Sequence, residues 1–375
     1  MLFSNRSKRI PPRRADTRLD PASLLGREQI SVVDGDARDF YRDKCVLITG
    51  GGGSIGSEIA REIAACKPKR LVILDIYENN AYRIQQELIF RYGDSLKLSI
   101  EIGSVKDEER LDEVFAEYRP DVVFHAAAHK HVPLMEHCPI EAVKNNCIGT
   151  YNTANAAERY GAERFILIST DKAVNPISIM GASKRMCEMI VGCRKDSHTV
   201  FSSVRFGNVL ASDGSVIPLF KEQIESGGPV TVTDKRMVRY FMTVNEAAGL
   251  VIKAGAGAAP GEVYVLDLGK PVSILELAKN MIKQYGLAPG VDIEIKEIGI
   301  RPGEKLSEEL MSENAGKGEE SDIIHVEKES FPSRERIDCD IRELKAALSA
   351  EREARAESVV KALIKAVPTY RVSET

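Results

Sequence analysis

A glycine-rich turn between a buried strand and an amphipathic helix constrains this chain more than any other segment. CVLITG is a compact apolar run, and IGSEIAREIAAC places Ile55, Ile59 and Ile63 on one helical face. Between them TGGGGSIG sets Gly50, Gly53 and Gly56 at the spacing GxxGxxG. The first glycine permits a tight turn. The second lets a pyrophosphate approach the backbone at the positive end of the helix, and the third lets the helix pack closely on the sheet. Thr49, Ser54 and Ile55 complete the expected cradle. Asp75 ends the next strand run, LVILD, 19 residues past Gly56, where a carboxylate accepts both adenosine-ribose hydroxyls. It would repel a 2′-phosphate, and no Arg or Lys stands at 76–82, so the pattern predicts NAD in preference to NADP.

The rhythm continues. LSIEIGSV, DVVFHAAA, RFILIST and VFSSVRFGNVL read as further strands with helical stretches between them. Strands alternating with helices predict an α/β fold: a Rossmann-like, doubly wound parallel sheet with a smaller α/β substrate-binding region. We expect an N-terminal arm and lead-in helix over 1–42 and an NAD-binding domain over 43–206, to which 236–260 return. The substrate-binding region is expected over 207–235 and 261–345, with a polar loop at 312–335, and a C-terminal helical tail over 346–375.

Composition excludes several classes. The formal net charge of −4 argues against a nucleic-acid binder. The seven scattered cysteines include no CxxC and read as reduced, which predicts a cytoplasmic protein. No apolar run approaches the ~20 residues of a membrane span. The basic start, with Arg6, Lys8, Arg9, Arg13 and Arg14, reads as a solvated arm, weak contact with an anionic membrane surface being the alternative.

Two strand ends carry candidate chemistry. In HAAAHKHV, Ala126, Ala127 and Ala128 are small enough for a cofactor to lie against the backbone, as are Ser104 and Val105 at the end of LSIEIGSV. His129 and Lys130 are read as lining the cleft. His125, His129, His131 and His137 match no common zinc spacing, so no metal is predicted. In ISTDKAVNPISIMGASK, Thr170, Asp171 and Lys172 follow a buried strand, where open α/β sheets place their sites.

With TGGGGSIGSE, HAAAHKHVPLME, STDKAVNP, MGASK, VRFGNVLASDGSVIP, RYFMT and RPGEK together, the chain resembles the extended short-chain dehydrogenase/reductase superfamily. Within it the chain is similar to the nucleotide-sugar dehydratases of polysaccharide biosynthesis, especially UDP-N-acetylglucosamine 4,6-dehydratases. The superfamily's YxxxK motif has Met180 in its tyrosine slot here, followed by Lys184, as in one dehydratase branch. That branch usually carries membrane helices and a further N-terminal domain, so the chain is read as a shorter soluble member or as the cytoplasmic catalytic part of that design. The resemblance implies a homo-oligomer pairing through the helices that flank Lys184.

It also implies a redox-neutral cycle with bound NAD: C4 oxidation, loss of water across C5 and C6, and hydride return to C6, with retention at C5. Lys172, if neutral, removes the C5 proton; Asp171, if protonated, donates to the departing C6 hydroxyl; Thr170 bonds the C4 oxygen; Lys184 holds the nicotinamide ribose. The acceptor of the C4 hydroxyl proton stays open between Lys172, Asp171 and a water chain to Lys184. The resemblance places the UDP moiety at Arg205, Asn208, Arg239, Arg301 and Glu304. A nucleotide-sugar 4-epimerase and a catalytically silent nucleotide-binding protein are the rival expectations.

Overall fold

The computed structural model describes residues 34–372, apart from 211, 213, 267–269, 312–315, 321–323 and 329. The basic arm therefore lies outside the described residues, and of the lead-in segment the helix Gly35–Tyr41 is seen.

Nine strands form the main sheet: β1 Cys45–Thr49, β2 Arg70–Asp75, β3 Leu98–Ile102, β4 Val122–His125, β5 Arg164–Ile168, β6 Val200–Arg205, β7 Val263–Leu266, β8 Gly316–Glu320 and β9 Ile324–Lys328. Their order is β8-β9-β7-β6-β5-β4-β1-β2-β3. The seven from β7 to β3 run parallel. β1 lies between β4 and β2, so the chain reverses its winding direction there and opens a crevice at the carboxyl ends of β1 and β4.

The central strands are buried on both faces, as the continuous apolar runs require. Alternate residues feed two cores. Leu47, Val72 and Leu74 join the helices Glu108–Tyr118, Gly149–Arg159 and Ile179–Gly192 on one face. Val46, Ile48, Leu71 and Ile73 join Ser54–Ala65, Glu78–Tyr92 and Val244–Ala256 on the other. Each large aliphatic side chain so buried contributes about 1.5–3 kcal/mol. A third core, with Leu210, Phe220, Val230, Leu277, Met281 and Ile293, holds a smaller unit together. There the helices Val216–Glu225 and Ile274–Gln284 pack on Val230–Val232, which pairs with Ile295–Glu297.

Three expectations are corrected. The segment 312–335 is not wholly a loop, because β9 pairs antiparallel with β7 and β8 with β9. An edge strand with unpaired backbone groups gains from such a cover. Consequently β7, β8 and β9 belong to the main sheet and not to the smaller unit. Third, the helix Arg334–Leu348 packs through Ile337, Ile341 and Leu344 on the first core. With Arg355–Ala366 it covers Ile179–Gly192, so the helix carrying Lys184 is buried almost throughout.

Candidate active site

The glycine turn leaves the end of β1 with Gly50 at φ 67°. A Cβ on Gly50 would lie 2.7 Å from the backbone of Ala127, and one on Gly56 would lie 2.2 Å from the Gly50 carbonyl oxygen. Both positions therefore exclude any side chain. The N-cap of the helix Ser54–Ala65 is Gly53, which supplies no side-chain acceptor to the first-turn amides. Ala126, Ala127 and Ala128 run alongside Gly50, partly exposed. Asp75 closes the rim: its carboxylate accepts from the Gly52 and Tyr77 amides at 2.8 Å each. Ser104 and Val105 follow β3 beside it. A hollow next to the turn is lined by Gly52, Ser54, Asn80 and Arg83, so a cation stands just past the window 76–82.

Thr49 is placed differently from its expected role. Its hydroxyl is buried and bonds His125 Nδ1 at 2.7 Å, while His125 Nε2 meets the Thr150 hydroxyl at 2.9 Å. Burial, with Lys184 nearby, pushes the His125 imidazole down to about 3, so it is neutral and structural.

At the end of β5 the chain turns through Asp171–Ala173. The Thr170 hydroxyl donates to Asp171 Oδ1 at 2.8 Å, and Lys172 Nζ donates to the same oxygen at 3.0 Å. The other oxygen, Asp171 Oδ2, is buried without a hydrogen-bond partner. Lys172 Nζ also reaches Asn208 Oδ1 at 3.3 Å and Glu308 Oε1 at 3.5 Å. Burial works against charge on Lys172, but Asp171 and Glu308 outweigh it and hold its pKa above the ordinary value. The free protein thus carries Lys172 as an ammonium, which must lose a proton before it can act as a base.

The helix Ile179–Gly192 is capped by Ser178, whose hydroxyl accepts from the Gly181 amide. Lys184 Nζ donates to the Ile168 carbonyl at 2.7 Å, anchoring the helix to β5 beside the Thr170-Asp171-Lys172 turn. Met180 is 3% exposed and belongs to the first core. In the tyrosine slot it therefore packs against the core and offers no exchangeable proton.

Two substrate-side expectations also change. Arg205 is fully buried, and its Nε and Nη2 each lie 2.7 Å from a different oxygen of Glu188. Its guanidinium faces the interior, not a diphosphate. Arg239 is buried and donates to the carbonyls of Val238, Lys305 and Leu306. It fastens the loop that follows Arg301. In that loop Arg301, with a half-exposed side chain, pairs with Glu304, and Lys305 Nζ reaches the Val174 carbonyl at 3.2 Å. His129 and Lys130 are exposed at the cleft. The Asn146 amide holds the His129 backbone from both sides, within a π-helical turn at Val143–Ile148.

Glu188, Asn146 and Glu308 escaped the sequence reading. Burial raises the Glu188 carboxyl, but Arg205 and Arg185 draw it down to about 2. Neither periodicity nor spacing marks these residues, since each is defined by a partner far along the chain.

The family model for polysaccharide biosynthesis proteins matches residues 46–328. The chain belongs to this family. It is 53% identical over 292 residues to the probable polysaccharide biosynthesis protein EpsC of Bacillus subtilis, covering 78% of this chain and 49% of that one. The chain thus spans about half the length of this curated relative. A UDP-glucose 4-epimerase of Rickettsia prowazekii is 36% identical, with 73% of this chain and 79% of that one covered. The X-ray structure of Pen from Bacillus thuringiensis superposes with a TM-score of 0.70 at 36% identity, covering 79% of this chain and 90% of that one. Among the described residues no helix is long and apolar enough to cross a membrane.

Proposed function

We propose that the chain is a NAD-dependent UDP-N-acetylglucosamine 4,6-dehydratase, a hydro-lyase that forms a UDP-4-keto-6-deoxy sugar for polysaccharide biosynthesis. The observation that carries this reading is Asp171. One of its oxygens is engaged by Thr170 and Lys172, and the other is buried and unpartnered, poised for a hydroxyl of a bound molecule.

The residues fit the cofactor. Gly50 and Gly56 clear the space a Cβ would fill, Gly53 opens the helix end to a pyrophosphate, Asp75 suits the adenosine ribose, and Lys184, tied to β5 beside the Thr170-Asp171-Lys172 turn, is assigned to the nicotinamide ribose. When bound, the nicotinamide takes a hydride from C4 and returns it to C6, so no net oxidation occurs.

The proton steps fall to the chain. Because Lys172 is an ammonium in the free protein, Asp171 Oδ2 is the better acceptor for the C4 hydroxyl proton, with Thr170 bonding the C4 oxygen. The same proton then passes from Asp171 to the C6 hydroxyl as water leaves. Lys172, once relieved of its extra proton, takes the C5 proton and later delivers one of its solvent-exchangeable hydrogens to the same face of C5, which gives retention there. Arg301, Glu304, Asn208, His129 and Lys130 bind the UDP-sugar. All seven cysteines are free, which fits a reducing cytoplasmic setting.

The epimerase relative favours a second reading, a 4-epimerase with the same cofactor cycle. Such an enzyme needs a base for the C4 hydroxyl but eliminates nothing across C5 and C6, so a second proton-transfer group held 3.0 Å from Asp171 favours the dehydratase. Incubation with UDP-N-acetylglucosamine separates the two: the dehydratase yields the 4-keto-6-deoxy product, the epimerase UDP-N-acetylgalactosamine.

A further inference from the structure

We propose that Glu308 is a positioning residue that takes the surplus proton of Lys172 when the substrate seats, and so turns that ammonium into the base required at C5. The inference rests on the dehydratase reading and deepens it.

Among the described residues, three oxygens lie around Lys172 Nζ: Asp171 Oδ1 at 3.0 Å, Asn208 Oδ1 at 3.3 Å and Glu308 Oε1 at 3.5 Å. The Asn208 amide oxygen cannot carry a proton at any ordinary pH. Asp171 is committed to the proton it moves from C4 to C6. Glu308 alone is left to accept. Its side chain is 4% exposed, and it rides on the loop of Arg301 and Glu304, which would grip the nucleotide. That loop is fixed from below by Arg239, whose Nη2 lies 3.9 Å from the same Glu308 oxygen.

The groups facing Glu308 are Lys172, Asp171, Arg239 and Lys305. Burial pushes the Glu308 carboxyl up, and the neighbouring cations only partly offset this, so it is ready to be neutral. At rest Asp171 and Glu308 share the ammonium between them. When Asp171 takes the C4 hydroxyl proton, one of the two anions that hold the ammonium is lost. An Nζ–H bond of Lys172 then breaks and an O–H bond forms at Glu308. The amine takes the C5 proton while Asp171 gives its proton to the leaving C6 hydroxyl. After the hydride reaches C6, Lys172 delivers one of its ammonium hydrogens to C5 and Glu308 returns its own proton to Lys172. Every proton is accounted for, and the net loss is one water.

The test uses the full chain with NAD and UDP-N-acetylglucosamine, comparing wild type with E308Q and E308D across pH 6–10. Wild type must first give the 4-keto-6-deoxy sugar; if it does not, the dehydratase reading fails whatever Glu308 does. Glutamine preserves the shape but cannot accept a proton. E308Q is expected to lower kcat about 100-fold near pH 7, with KM little changed. Its kcat should climb with pH, because Lys172 then loses its proton only to solvent, while wild type and E308D stay nearly flat. If Glu308 merely stabilised the ammonium, removing its charge would leave kcat equal or higher with a flat profile. That result, or an E308D profile as steep as that of E308Q, overturns the proposal.

Discussion

Asp171 and Lys172, neighbours in sequence, meet through their side chains at 3.0 Å at the carboxyl end of β5, and the second Asp171 oxygen is buried with no partner. An ion pair built only for stability would satisfy both oxygens. This one keeps an acceptor in reserve. Asp171→Asn should therefore lower kcat about 100- to 10,000-fold, leave KM within a few-fold and leave the melting temperature close to wild type. Steady-state kinetics with thermal melts check it, and full activity would remove Asp171 from the proton path.

The Arg205–Glu188 pair has the opposite character. Arg205→Ala should cost about 3–5 kcal/mol of stability by stranding a buried carboxylate, with little effect on KM. Urea unfolding measures the first and kinetics the second. The folded Glu188 carboxyl lies near 2, below its ordinary 4.5. Its contribution is present above about pH 4.5 and fades as pH falls toward 2. Wild-type stability should lose this contribution over that window, and Arg205→Ala should show a shallower decline.

Arg301 has a half-exposed side chain paired with Glu304, so its removal should spare the fold. Arg301→Ala should raise KM for the sugar nucleotide about 10- to 100-fold, the worth of a charge-assisted hydrogen bond to phosphate. An unchanged KM would take Arg301 out of the site.

Asp75 both pins the turn through Gly52 and faces the expected adenosine ribose. Calorimetric titration should show NAD+ binding more tightly than NADP+, and Asp75→Ala should weaken NAD+ about tenfold, the loss of one charge-assisted bond. Tighter binding of NADP+ would assign the neighbouring Arg83 the larger role.

The parallel sheet and its glycine turn were legible because each buried strand is a continuous apolar run and each crossover helix an apolar stripe. β8 and β9 were not, since GKGEE and IHVEK show little apolar patterning and form by backbone pairing to an open edge. Arg205 was misjudged for a related reason: a strand end beside a site does not show which way its last side chain turns, and the partner Glu188 lies on a helix. Likewise SEEL offers Glu308 and Glu309 equally, and only the fold buries the first while exposing the second. The turn at Thr170-Asp171-Lys172 was readable as a site, whereas the charge of Lys172 depends on Glu308, far along the chain.

The most direct measurement is proton NMR of the product formed from UDP-N-acetylglucosamine in D2O with bound NAD. The account predicts a UDP-4-keto-6-deoxy sugar carrying deuterium at C5, with the configuration there retained. Formation of UDP-N-acetylgalactosamine, or a bound sugar nucleotide that never turns over, would contradict it.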